Sequence, residues 1–239
     1  MKKQKKVEQK SVFTYLQDGL EVSLAYKKLL LIAILLNCIP PLLFKINNLF
    51  INFIGIALTL FALTLYLYYP YFLMKYKPGN VHIPTLLTEI IKNSIKLILP
   101  TIAFIIIYLL LMVIFMFVFL VLQGGQLDEN TLMNIQGNSI HNVITYLIIV
   151  PGLLFLSVFY SIKKESIVSS FFKSYKYSFK YIPFLLVDII LTGLVYFISQ
   201  EVFNSTIHWH LILTGIISTI VAVWITATVY LLFKDKELT

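Results

Sequence analysis

Arginine is absent from this 239-residue sequence, and cysteine occurs only once. All 19 basic residues are therefore lysine, which disfavours functions that need the planar guanidinium fork to clamp phosphate or carboxylate. The same composition, rich in Lys, Ile, Asn and Phe, is typical of a low-GC bacterial genome. Because Cys38 has no second cysteine to pair with, an intramolecular disulfide and a cysteine-based metal site are excluded. We expect Cys38 to be a small apolar residue in the first apolar run.

Charged residues are scarce as well. They make up 13% of the chain, against 59% hydrophobic residues and a mean hydropathy of +0.88, whereas soluble domains carry about 25% charged residues. A chain this apolar cannot cover a water-facing surface, which predicts an all-α integral membrane protein. We expect residues 1–239 to form one membrane domain, which begins with a basic cytoplasmic segment (1–28) and has no removable signal peptide. Lysines beside a membrane indicate contact with anionic lipid rather than nucleic acid.

Six apolar runs are candidates to cross the bilayer, which takes about 20 helical residues. They are Leu29–Phe44, Leu49–Met74, Leu97–Leu122, Val143–Ser161, Ile182–Ser199 and Leu211–Phe233. The first run is short and contains Pro40 and Pro41, so it spans only if the helix begins a few residues earlier. Its flanking lysines would then reach the interface along their aliphatic stems.

Lysine placement predicts the orientation. The basic segment, the connections 75–96 and 162–181 and the C-terminal tail together hold 18 lysines, and the opposite side holds only Lys45. The positive-inside rule places the lysine-rich side in the cytoplasm. We therefore predict six transmembrane helices, arranged as three hairpins in a bacterial cytoplasmic membrane, with both termini inside.

The cytoplasmic connections Val81–Lys96 and Glu165–Lys180 have an amphipathic helical pattern, which predicts helices that lie in the headgroup region. Their ends match as Lys-x-Ser-x-Lys at 92–96 and 176–180, and a fainter version, Ser23–Lys27, precedes the first run. The pattern indicates three units, each an interfacial helix followed by a hairpin. The alternative is that all lysine-edged connections look alike. As contacts to lipid headgroups we assign Lys92, Lys96, Lys173, Lys176 and Lys180.

This layout resembles six-span bacterial membrane families that include the membrane domain attached to some glycerophosphodiester phosphodiesterases. The resemblance covers nearly the whole chain, is carried by the amphipathic helices and the Lys-x-Ser-x-Lys ends, and implies a six-span helical fold. The catalytic barrel of those enzymes, with its carboxylates and histidines, is absent from the sequence, so the resemblance implies no catalytic activity.

Asp188 is the only acidic residue well inside a predicted span. A charge at mid-membrane costs about 2.5–3.5 kcal/mol on insertion scales, and such residues often mark proton or cation pathways. The alternative is a structural Asp that is hydrogen-bonded by Tyr, Thr or Asn on neighbouring spans. Several predicted runs also contain prolines, among them Pro40, Pro41, Pro100, Pro151 and Pro183, which is typical either of transporters with broken helices or of ordinary kinks.

Catalytic and cofactor signatures are missing: there is no phosphate-binding glycine loop, no Gly-x-Ser-x-Gly elbow and no His-Glu-x-x-His. His141, His208 and His210 are potential metal ligands on the outer side. Their spacing matches no metal motif, and Trp209 between two of them favours the membrane–water interface. We therefore predict no metal, no cofactor and no enzymatic activity.

Two function classes remain open. The first is a non-enzymatic membrane protein that binds lipids or other membrane proteins, as an accessory, assembly or immunity-type component. The alternative is a small transporter or permease subunit that uses Asp188 and the proline-broken helices.

Overall fold

A computed structural model describes residues 10–46, 48–122, 149–201 and 209–237, and the regular structure in these ranges is α-helical throughout. The described helices are α1 (Val12–Ala25), α2 (Lys27–Phe44), α3 (Leu49–Lys75), α4 (Ile83–Leu122), α5 (Ile149–Ser161), α6 (Ile167–Lys180), α7 (Ile182–Glu201) and α8 (Trp209–Glu237).

Three of the described helices are long and apolar enough to cross a membrane: α2, α3 and the Ile212–Glu237 part of α8. A fourth is added if α6 and α7, which meet at a bend of 105°, count as one broken span. The helix α2 begins at Lys27, earlier than the predicted run, and stays helical through Pro40 and Pro41. This extension gives the short first run the length that it lacked.

Each of the short helices α1 and α6 begins after a serine cap and ends at a tyrosine. The Ser11 hydroxyl accepts the Thr14 N–H at 3.1 Å, and the Ser166 hydroxyl accepts the Ser169 N–H at 3.3 Å, which satisfies free donors in the first turn. Both helices stop where the backbone leaves helical geometry, at Tyr26 (φ −94°, ψ 43°) and Tyr181 (φ −118°, ψ 48°). The chain then turns directly into the next apolar helix.

The second predicted interfacial helix differs, because Val81–Lys96 and the run after it form one continuous helix, α4. The position that corresponds to Tyr26 and Tyr181, three residues after the matched serine, is Leu97, which is buried and helical. The turn therefore occurs where this position is tyrosine and is missing where it is leucine.

In all three amphipathic segments the same face is buried, at positions spaced by four residues. These positions are Tyr15, Gly19 and Ser23 in α1, Leu86, Ile90 and Ser94 in α4, and Ser170, Ser174 and Ser178 in α6. The last position of each set is the serine of the predicted repeat. The positive-inside rule alone would explain why all three segments carry lysines, but it would not give them the same buried face. The shared register therefore favours a true repeat.

The packing of these segments is cyclic. The helix α4 packs against α3, α6 packs against α5, and α1 packs against α8 at the far end of the chain. In each case the amphipathic helix lies against the last helix of the preceding unit, and α1 closes the ring. The three helices that receive these contacts, α3, α5 and α8, also pack against one another.

Serine hydroxyls of α6 enter the hydrogen-bond ladder of α5. The Phe155 N–H, which would ordinarily bond the Pro151 carbonyl, donates instead to Ser174 Oγ at 2.8 Å. That carbonyl accepts the hydroxyls of Ser174 at 2.9 Å and Ser178 at 2.7 Å. The helix α5 is interrupted at Phe155 and resumes as Leu156–Ser161, as expected when a side chain is inserted into the ladder.

Candidate functional site

Asp188 lies in the first half of α7, where its carboxylate is bonded within its own helix. Its Oδ1 accepts the Thr192 hydroxyl at 3.2 Å, one turn further along. Among the described residues no hydrogen bond reaches the Asp188 side chain from a neighbouring helix. The structural interpretation expected a partner on a neighbouring span, whereas this threonine lies in the same helix and does not tie α7 to the rest of the bundle.

Asp188 lines a cavity of about 440 Å³ between α2, α3, α5, α7 and α8. Most of its wall is aliphatic. The polar groups that share it with Asp188 are Asn37, Tyr66, Ser157, Thr192, Ser218 and Thr226. Hydroxyl and amide groups from five helices therefore face the same space as the carboxylate, an arrangement that can hold a proton, a small cation or the polar end of an amphiphile.

One polar group of this cavity wall, the Asn37 amide, is already paired. Asn37 Nδ2 donates to Thr219 Oγ1 at 2.8 Å across the α2–α8 contact, and the Thr219 hydroxyl donates to the Gly215 carbonyl at 2.6 Å. This pair fixes the packing of α2 on α8. Sequence analysis missed it because the two residues are 182 positions apart.

The described residues contain no group of three or more His, Cys, Asp or Glu side chains arranged to hold a metal ion. His141 and His208 lie outside the described residues, and the side chain of His210 does too.

Two of the five lysines assigned to lipid contacts have protein partners. Lys173 Nζ donates to Glu165 Oε1 at 2.6 Å, and this hydrogen bond holds the pKa of the Glu165 carboxyl below its usual range. Lys180 Nζ lies 3.8 Å from Glu237 Oε1 and 5.2 Å from the ring centres of two flanking tyrosines. Both lysines thus help to fix α6 to its surroundings.

The other three, Lys92, Lys96 and Lys176, are exposed. None of them has a carboxylate within 4 Å among the described residues. These ammonium groups are available to anions from outside the chain.

No family model, curated protein or solved structure matches this chain. The resemblance to the membrane domain of glycerophosphodiester phosphodiesterases therefore stays a prediction.

Proposed function

We propose that this chain is a non-enzymatic, six-span protein of a bacterial cytoplasmic membrane, with both termini in the cytoplasm. Its three amphipathic segments lie at the cytoplasmic face of the membrane, where they bind anionic lipid headgroups and provide a binding surface for other membrane proteins. The role is that of an accessory, assembly or immunity-type component.

The observation that carries this proposal is an apolar position that is exposed in all three segments. It is the residue after the matched serine: Leu24 is 58% exposed, Ile95 is 66% exposed and Phe179 is 57% exposed. The segments therefore have two apolar or small faces, one packed on the bundle and one left open beside lysines. Such a second face is stable when lipid covers it.

An exposed apolar stripe on α4 supports a further membrane span in this helix, in addition to the three spans described above. Its residues follow helical spacing: Ile102, Ile106, Leu110, Val113, Phe117 and Val121. From the first to the last of them a helix rises roughly 28 Å, which is close to the roughly 30 Å hydrocarbon core.

Spin labels test whether the amphipathic segments lie at the membrane interface. In a Cys38→Ser background, cysteines replace Leu24, Ile95 and Phe179, and matched controls replace the residue three positions earlier, Glu21, Lys92 and Lys176. In liposomes we expect the first set to be relaxed by oxygen and the control set by a water-soluble nickel complex. If the first set responds to nickel as strongly as its controls, the segments do not lie at the membrane interface.

The cavity at Asp188 favours a second candidate function, transport of a proton or small cation. Its support is that hydroxyl and amide groups of several helices face the same space as a carboxylate. The described residues of the cavity wall include no second acid, which counts against this function, since relays usually use several ionisable groups.

A further inference from the structure

A polar pocket of about 520 Å³ opens between α3, α4 and the end of α5. Its wall contains lysines together with hydroxyl and amide donors: Tyr71, Lys92, Asn93, Lys96, Tyr160 and Lys164. Lys92 and Lys96 are four residues apart, so their side chains leave α4 on the same face. Lys164 comes from the connection after α5, so the pocket gathers three ammonium groups from two remote parts of the chain.

The two acids in the wall do not neutralise these lysines. Glu89 is paired with Lys75, and Glu165 is paired with Lys173. No ion pair within the described ranges involves Lys92, Lys96 or Lys164. Five lysines around the pocket thus face two carboxylates, which leaves an excess of three positive charges.

Lys164 adopts a left-handed backbone conformation, with φ at 55°, as no other non-glycine residue does in the described ranges. This conformation is unfavourable for a residue with a Cβ atom, and glycine would adopt it freely. A strained lysine in the wall of a charged pocket suggests that its ammonium group is needed there.

An exposed apolar path leads from the pocket along α4. Ile95, Ile98 and Ile102 follow one another at helical spacing and are all exposed, and the stripe continues to Val121. An amphiphile with an anionic head would place the head at the lysines and its chains along this stripe.

We propose that the pocket binds a phosphate group, as the headgroup of an anionic phospholipid whose acyl chains lie along α4. Lysine is a compact point charge that suits phosphate, and the tyrosine hydroxyls and the Asn93 amide offer further donors to its oxygens. The site rests on the proposed function, because it requires the start of α4 to lie at a membrane surface. A soluble phosphate ester has the same chemistry, so the test separates the two sources.

In the test, the full chain in neutral detergent is titrated with phosphatidylglycerol, phosphatidylcholine or glycerol phosphate, and bound ligand is counted by native mass spectrometry. We expect phosphatidylglycerol to bind roughly tenfold or more tightly than phosphatidylcholine, whose choline cation opposes the lysines. Glycerol phosphate should not displace the lipid at equal concentration. Displacement would keep the phosphate site but assign it to a soluble ester.

Glutamine in place of Lys92, Lys96 and Lys164 together removes the charge excess. We expect the affinity for phosphatidylglycerol to fall roughly a hundredfold, at about fivefold per lysine. The matched control replaces three exposed lysines outside the pocket that are not assigned to headgroup contacts, Lys77, Lys234 and Lys236, and should retain wild-type affinity.

Lys164→Gly separates the charge from the fold, because glycine keeps the left-handed turn without strain. We expect about fivefold weaker binding with an unchanged or higher melting temperature.

An equal loss of affinity in both triple variants would overturn the pocket, because general surface charge would then explain the binding. That result would leave the proposed interfacial position of the amphipathic segments intact, since the spin labels test it separately. Unchanged affinity in the pocket variant would also overturn the site.

Discussion

The Asp188 side chain combines a charge that can titrate with oxygens that accept the Thr192 hydroxyl. Asp188→Asn removes the first property and keeps the second. Under the lipid-binding proposal we expect the Asn variant to match wild type in expression, detergent melting temperature and rescue of a deletion strain. An Asn variant that folds normally but fails to rescue would instead favour transport.

Asp188→Leu removes both properties and serves as the companion variant. The Thr192 hydroxyl can then turn to a carbonyl one turn earlier in its helix, as the Thr219 hydroxyl does. We therefore expect a loss of about 0.6 kcal/mol in the free energy of unfolding, which is average for a polar contact in a helical membrane protein. A much larger loss would mean that Asp188 supports neighbouring helices.

At the scale of residues, the sequence predicted Asp188 because a lone acid in an apolar run is visible by itself. It did not predict the other residues of the cavity wall, since these come from five helices whose order of packing no local pattern encodes. The left-handed backbone of Lys164 was hidden for a similar reason: a lysine between two helices has no sequence feature that marks a positive φ.

At the scale of elements, the contact between α1 and α8 depends on a glycine. A Cβ atom at Gly19 would lie 2.9 Å from the backbone N and Cα atoms of Thr228 and 2.1 Å from its Oγ1. Because backbone atoms cannot rotate away, Gly19→Ala must push α1 off α8. We expect a loss of about 1–3 kcal/mol, measured as a lower melting temperature in detergent.

Gly193→Ala is the matched control, since it makes the same change inside α7, where a Cβ atom would meet nothing within 4 Å. We expect this variant to be at least as stable as wild type, with a gain of up to about 1 kcal/mol from helix propensity. Equal melting temperatures for the two alanine variants would show that α1 is not held closely.

The apolar stripes of the amphipathic helices were predictable from periodicity, but the faces that pack on the bundle were not. Ser170, Ser174 and Ser178 are polar by any hydropathy scale, yet all three are buried. Small side chains allow close approach between helices, and the hydroxyls of Ser174 and Ser178 donate to the Pro151 carbonyl. A prediction from hydropathy therefore turns this serine face of α6 toward water, whereas in the fold it is buried against α5.

At the scale of the whole molecule, the predicted topology is open to a direct labelling test. In a Cys38→Ser background, which keeps a donor toward the Ile212 carbonyl, we expect cysteines at Asp128 and Ser205 to react with impermeant thiol reagents in intact cells. Cysteines at the exposed positions Lys176 and Lys234 should react only after lysis. Labelling of position 176 from outside the cell would show that the predicted orientation is wrong.

The threefold arrangement was only partly predictable. The matched serines were visible in the sequence, and the shared buried register extends that match over each segment. Closure of the ring by α1 was not predictable, because contacts between the ends of a chain leave no local pattern.

That closure has a consequence for biosynthesis. Trp224 Nε1 donates to the Leu16 carbonyl at 2.7 Å across 208 residues, a length that a ribosome translates in roughly ten to forty seconds. Until α8 has been made, the face of α1 that packs on it at Leu16 and Gly19 lacks this partner. The contact between α1 and α8 therefore forms only after the last helix of the chain has been made, and every unfinished chain lacks it.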